Sequence, residues 1–144
     1  MIKRFLIILL AVTGISSACK KDTPATNAGV PNVTVNISIE ASSPLYPNLA
    51  IVGGWAQVTG GYDGILIYRQ STDNFVAYDC GCPYDCTTNA KAIIKVQSNN
   101  ITAVCPVCGT TYSILSGAVS KGPGSLSLKQ YPTTFDGTYI NITN

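Results

Sequence analysis

The sequence predicts an all-β domain, a small antiparallel sandwich or partly open barrel of roughly eight to ten short strands. From Val33 onward, apolar residues recur with a period of about two, which is typical of strands whose successive side chains point to opposite faces. The apolar runs are short, and pairs of Gly, Asn and Asp separate them. No window carries a capped amphipathic helix.

The predicted strands follow one another at short intervals. In the first, Val33, Val35, Ile37 and Ile39 alternate with polar residues. Later apolar runs cover residues 51–52, 64–68, 75–78, 92–96, 101–104, 126–128 and 138–142, and turns are predicted at 53–54, 60–61, 73–74, 98–100 and 136–137. The Asp-Gly pair at 136–137 predicts a hairpin with a two-residue turn, because Gly supplies the positive φ that such turns need.

The N-terminus has the pattern of an export signal. Lys3 and Arg4 precede the apolar run FLIILLAV at 5–12, which is too short to span a bilayer as a helix. The small residues at 15–18 lead into Cys19, a pattern that resembles a bacterial lipobox with Ser16 where Leu is preferred. A plain secretory signal is the alternative, but it would leave an exposed free thiol outside the cytoplasm.

We therefore predict a cleaved signal peptide over 1–18, a lipid on Cys19 and a polar, proline-containing tether over 19–32. The expected location is the envelope of a bacterium, where the lipid anchors the protein to the outer membrane, facing the periplasm or the exterior. The bilayer is then one partner. Residues 33–144 suit a single domain. Because Lys3 and Arg4 account for the whole excess of 9 basic over 7 acidic residues, the mature chain offers no charge for nucleic-acid binding.

Five of the six cysteines lie in two short loops, and the chain has no histidine. Cys80, Cys82 and Cys86 follow the strand FVAYD, whereas Cys105 and Cys108 lie in the turn CPVCG between two predicted strands. A C-x2-C turn that ends in Gly directs its backbone amides at the sulfurs, as in rubredoxin-like and zinc-ribbon sites. Two such loops facing one another would form a compact binding site.

Residues 33–142 resemble a Rieske-type [2Fe-2S] domain, most specifically in their second half. The resemblance lies in CPVCGTTY, in Gly117 and in the segment GPGSLSLKQY, and FVAYDCGCPYD is similar to the first ligand loop. It implies a Rieske-like β sandwich or barrel and an electron-transfer function. The implied thiolate positions fall on Cys82 and Cys105, whereas the implied histidine positions fall on Tyr84 and Cys108. A standard Rieske ligand set is therefore absent.

The cysteines allow three interpretations. In the first, Cys82, Cys86, Cys105 and Cys108 bind an all-thiolate [2Fe-2S] cluster or one tetrahedral ion such as Zn²⁺, with Cys80 as a substitute ligand. In the second, the cysteines form disulfides, and the protein is a structural or binding lipoprotein on a Rieske scaffold. In the third, a cysteine is a catalytic nucleophile, which has least support because no histidine can act as its base.

Two physical arguments give opposite answers to whether the cysteines bind a metal or form disulfides. Export into an oxidising compartment favours disulfides. Five thiols cannot all pair, however, and a C-x2-C knuckle is cramped for a direct bond, which favours metal. Tyr84 is expected to cap the site by packing or by a hydrogen bond to a sulfur. The sequence thus indicates an electron-transfer or binding module rather than a catalyst, with a redox or envelope protein as its partner.

Overall fold

The computed structural model describes residues 29–144, and within them it confirms the all-β prediction. The described residues form eleven strands and one 3-10 turn, Pro47–Ala50, which lies between the first two strands. The strands are β1 (Asn36–Glu40), β2 (Trp55–Val58), β3 (Ile65–Arg69), β4 (Phe75–Asp79), β5 (Lys95–Val96), β6 (Thr102–Val104), β7 (Thr111–Ser113), β8 (Val119–Lys121), β9 (Gln130–Tyr131), β10 (Thr133–Phe135) and β11 (Tyr139–Thr143). Over the same residues, no helix has the length and apolar character that a membrane crossing needs. The predicted signal peptide, Cys19 and most of the predicted tether lie outside the described residues.

The strands form three sheets, and every strand pair is antiparallel. Their orders are β1-β11-β10, β2-β3-β4-β9 and β5-β6-β7-β8. The sheet of β2, β3, β4 and β9 is covered on both faces. In β3, Ile65 and Ile67 pack in one buried cluster with residues of β1 and β11, whereas Leu66 and Tyr68 pack in a second cluster with residues of β6 and β7. The unbroken apolar run in β3 is explained by this burial on both faces.

Two predicted strands are loops in the structure. Ile51 and Val52 are exposed in a turn, because the Gly54 N–H donates to the Ile51 carbonyl at 3.0 Å and the strand begins only at Trp55. Residues 126–128 form an irregular segment in which Leu128 is buried. Sequence periodicity did not reveal β8 and β9, because strands of two or three residues are too short to show a period.

The predicted hairpin near the C-terminus is present between β10 and β11, but Asp136, Gly137 and Thr138 separate the strands in place of the two residues that the sequence indicated. Phe135 pairs with Ile140, and Gly137 has a φ of +98°. The Asp136 carboxylate accepts hydrogen bonds from the backbone N–H groups of Thr138 and Tyr139 at 2.9 and 2.7 Å. The aspartate therefore closes the turn with its side chain, as Asx turns do.

The segment 29–32, which the sequence places at the end of the tether, packs against the domain. Val30 is buried, and a Cβ at Gly29 would overlap the carbonyl oxygen of Pro83. The Lys129 ammonium donates to the Pro31 carbonyl at 2.7 Å and to the Asn32 side-chain oxygen at 3.0 Å. The chain thus enters the domain beside the first cysteine loop.

Candidate metal centre

The first cysteine loop begins at a buried carboxylate. Asp79 ends β4, is fully buried and accepts four hydrogen bonds. The Tyr131 hydroxyl donates at 2.6 Å, and the backbone N–H groups of Tyr62, Asp63 and Gly81 donate at 2.6, 3.3 and 2.8 Å. Because Gly81 directly precedes Cys82, the carboxylate fixes the path of the chain into the loop.

The loop then makes a helix-like turn over residues 82–89. The Cys86 N–H donates to the Cys82 carbonyl and the Asn89 N–H to the Asp85 carbonyl, both at 2.9 Å. In such a turn, side chains three residues apart lie on one side. Asp85 therefore lies on the same side of the loop as Cys82.

The second cysteine loop is the predicted knuckle between β6 and β7. The Cys105 N–H donates to the Thr110 carbonyl, and the Gly109 N–H donates back to the Cys105 carbonyl, both at 2.9 Å. The backbone N–H groups of Val107 and Cys108 point at the Cys105 sulfur. Burial nevertheless raises the pKa of the Cys105 thiol to about 12, so it keeps its proton unless a cation takes its place.

The two loops bring four donor groups together: Cys82, Asp85, Cys105 and Cys108. Their three sulfurs and one carboxylate oxygen all lie within 4.8 Å of one another. The Cys82 and Cys108 sulfurs are 3.7 Å apart, and the Cys105 sulfur is 3.8 Å from Asp85 Oδ2. Cys82 and Cys105 are buried, whereas Asp85 and Cys108 are half-buried at the edge. We call these four residues the Cys3Asp group.

Two hydroxyl groups reach the sulfurs of the Cys3Asp group. Thr110 Oγ1 lies 3.1 Å from the Cys108 sulfur and also accepts the Gly124 N–H at 3.0 Å, so its own proton is free for the sulfur. The Tyr112 hydroxyl lies 3.3 Å from the Cys82 sulfur. Burial and this contact raise the pKa of Tyr112 above its usual range, so the hydroxyl keeps the proton that it can donate.

The other predicted site residues lie apart from this group. The Cys86 sulfur faces the Gly29 carbonyl oxygen at 3.5 Å, and burial raises the pKa of its thiol to about 11. Cys80 is buried, with the Gln57 amide 3.5 Å from its sulfur, and burial raises its pKa to about 12. Tyr84 is 55% exposed. The structure thus brings together three of the four cysteines that the sequence offered as ligands, with Asp85 in place of Cys86.

Sequence reasoning missed Asp85 and Tyr112. The only sequence signal for Asp85 as a ligand is its position three residues after Cys82. An aspartate in a loop otherwise suggests only a solvated turn. Tyr112 stands four residues after Cys108, in β7, where alternation turns it towards the core. Among the described residues, Tyr112 is the tyrosine whose hydroxyl contacts a ligand sulfur, the role that the sequence suggested for Tyr84.

A histidine-ligated Rieske cluster does not fit these residues. The chain has no imidazole, Tyr84 points to solvent, and Cys108 lies against Cys82. The five cysteines at positions 80–108 are all free thiols in the structure. The 3.7 Å between the Cys82 and Cys108 sulfurs compares with about 2.05 Å for a disulfide bond. The donor set instead suits a thiophilic cation such as Zn²⁺ or iron.

The structure is similar to solved ferredoxins at low sequence identity. The ferredoxin of carbazole 1,9a-dioxygenase from Nocardioides aromaticivorans IC177 is 17% identical, with a TM-score of 0.49 over 78% of this chain and 98% of that one. A ferredoxin of Sphingomonas yanoikuyae B1 is 21% identical, with a TM-score of 0.45 over 65% of this chain and 88% of that one. No protein-family model and no curated protein matches the chain.

Proposed function

We propose that this chain is an electron-transfer protein of a bacterial cell envelope, built on a Rieske-like scaffold and anchored through a lipid on Cys19. Its centre is iron bound by the Cys3Asp group. The observation that carries the proposal is the convergence of three cysteine sulfurs and one carboxylate oxygen within 4.8 Å, from two loops that are distant in sequence. Thiolates are the ligands with which proteins hold redox iron.

The surroundings of the group suit a change of charge by one electron. Reduction adds a negative charge to the centre, and the hydroxyls of Thr110 and Tyr112 are placed to stabilise it at the sulfurs of Cys108 and Cys82. Burial of Cys82 and Cys105 keeps water from one side of the centre. The half-buried Cys108 provides an edge at which a redox partner can dock.

A structural Zn²⁺ site is the second candidate function. The observation that favours it is the knuckle at Cys105–Cys108, since zinc ribbons hold their metal with such turns. The protein would then be a binding or structural module, with metal affinity contributing to its folding free energy.

Metal content and redox titration of the protein separate the two candidates. The protein is purified without oxygen from its own cell envelope, and iron and zinc are quantified per chain. We expect iron, a colour that bleaches with dithionite, and loss of both in Cys82→Ser. The matched control is Cys86→Ser, which removes a thiol outside the Cys3Asp group and is expected to keep metal and colour. A colourless protein with stoichiometric zinc would support the second candidate, and a metal-free protein would contradict both.

The lipid anchor is tested separately from the metal. We expect labelled palmitate to enter the mature protein and to be absent from Cys19→Ser, which should be released from the membrane fraction. Equal labelling of both proteins would contradict anchoring through Cys19.

A further inference from the structure

We infer that the Cys3Asp group binds a single tetrahedral metal ion, with Asp85 as the fourth ligand, and not a binuclear [2Fe-2S] cluster. This inference rests on the proposed metal-binding function and specifies the centre. Its basis is the spacing of the donor atoms and the direction in which Cys86 points.

Two donor distances are close to the edge length of one coordination tetrahedron. With a metal–sulfur bond of about 2.3 Å, two sulfurs on one tetrahedral ion lie about 3.8 Å apart. The Cys82 and Cys108 sulfurs are 3.7 Å apart, and Cys105 and Asp85 are separated by 3.8 Å. No pair of donor atoms in the group exceeds 4.8 Å. Four donors this close together can converge on one ion.

A binuclear cluster needs a wider arrangement. Each iron takes two protein ligands, and two sulfides separate the irons, so ligands on opposite irons lie farther apart than one tetrahedral edge. The Rieske resemblance places Cys82 on one iron and the position of Cys108 on the other. In this structure the Cys82 and Cys108 sulfurs are 3.7 Å apart, a separation expected for two ligands of the same ion.

The fourth ligand is a carboxylate because of the turn at residues 82–89. This turn directs Asp85 towards Cys105 and Cys108, whereas the Cys86 sulfur faces the Gly29 carbonyl oxygen at 3.5 Å. Asp85 is half-buried beside Cys108, so the carboxylate forms the solvent side of the centre. Zn²⁺ and similar ions accept such a carboxylate oxygen at bond lengths of about 2.0–2.2 Å.

Cobalt substitution of the mature chain tests both the number of ions and the ligands. Co²⁺ is added to reduced protein from which metal has been removed, and its visible spectrum reports tetrahedral geometry and the number of thiolate ligands. We expect saturation at one Co²⁺ per chain, intense tetrahedral bands and sulfur-to-cobalt charge transfer from three thiolates. Native protein is expected to hold one metal ion per chain without acid-labile sulfide.

Three variants test the ligands. Asp85→Cys should keep one tetrahedral Co²⁺ and increase the thiolate charge-transfer absorbance by about a third, as expected for four equivalent thiolates in place of three. Asp85→Ala should weaken Co²⁺ binding by more than the roughly 10- to 100-fold that loss of an outer-shell partner costs. Cys86→Ser, the control, should leave stoichiometry and spectrum unchanged.

The outcomes separate this inference from the proposed function. Two irons with acid-labile sulfide per chain would overturn the single-ion inference and leave a redox metal centre in place. Unchanged Co²⁺ affinity in Asp85→Ala, or loss of the tetrahedral bands in Cys86→Ser, would overturn the ligand assignment. No metal in the native protein and no Co²⁺ binding would overturn both.

Discussion

Tyr131→Phe removes one hydrogen bond from the buried carboxylate at the start of the first cysteine loop. The lost bond is the 2.6 Å contact from the Tyr131 hydroxyl to Asp79 Oδ2, and both residues are buried. Hydrogen bonds to charged groups contribute about 1.5–3 kcal/mol. Three backbone donors remain on Asp79, so the carboxylate stays partly compensated. We expect the free energy of unfolding to fall by about 2 kcal/mol at pH 7, near the middle of that range.

Urea unfolding of both proteins at equal metal content measures this loss, as a lower midpoint with an unchanged slope. The control is Tyr139→Phe, which removes a hydroxyl from a side chain that is 46% exposed and should change stability by less than about 0.5 kcal/mol. A loss in Tyr131→Phe no larger than in this control would refute the reasoning.

The same variant predicts a pH dependence. Burial and the Asp79 carboxylate raise the pKa of Tyr131 above its usual value. A group whose pKa is raised on folding contributes stability below its unfolded pKa, about 10 for tyrosine, and loses that contribution as the pH rises further. Above pH 10, the free energy of unfolding of the wild-type protein should therefore fall faster with pH than that of Tyr131→Phe. The difference in stability between the two proteins should become smaller. A constant gap between pH 7 and 11 would contradict this linkage.

Two further predictions concern packing. Gly117→Ala should destabilise the domain by about 1–3 kcal/mol more than Gly137→Ala, since both positions have positive φ but only at Gly117 would a Cβ meet the Tyr78 ring, at 2.7 Å. Thermal unfolding checks this, and equal losses would contradict it. Lys129→Ala should expose the segment 29–32 to protease about tenfold faster, because both hydrogen bonds of its ammonium are lost. Exposed Lys121→Ala is the control, and equal cleavage rates in the two variants would contradict this role.

The strands were predictable where one physical pattern dominates. Alternation identified β1 through Ile37 and Ile39, and Asp136-Gly137 identified the hairpin between β10 and β11. Alternation failed at Ile51 and Val52, because two apolar residues before a glycine pair also fit an exposed turn. The backbone hydrogen bond from the Gly54 N–H to the Ile51 carbonyl holds these residues in a turn and not in a strand. Amino-acid composition does not predict this contact.

The sequence predicted which two loops form the candidate centre, but it did not predict which side chains are its four donors. The spacing of Cys105 and Cys108 implied a knuckle, and the structure has one. The choice between Asp85 and Cys86 could not be made from the sequence, because both follow Cys82 within one turn and differ by about 100° around it. That choice depends on Gly29, which lies 57 residues before Cys86 in the chain and whose carbonyl faces the Cys86 sulfur.

The entry of the chain beside the first cysteine loop limits how far the centre can stand from a membrane. With the proposed lipid on Cys19, the ten peptide units to Gly29 span at most about 36 Å when fully extended. The loop that packs on Gly29 is the one that carries Cys82 and Asp85. A redox partner in the same membrane would thus meet the centre at an effective concentration set by the tether, in the millimolar range for short linkers. Weak and rapidly reversible docking would then suffice for turnover between the two proteins.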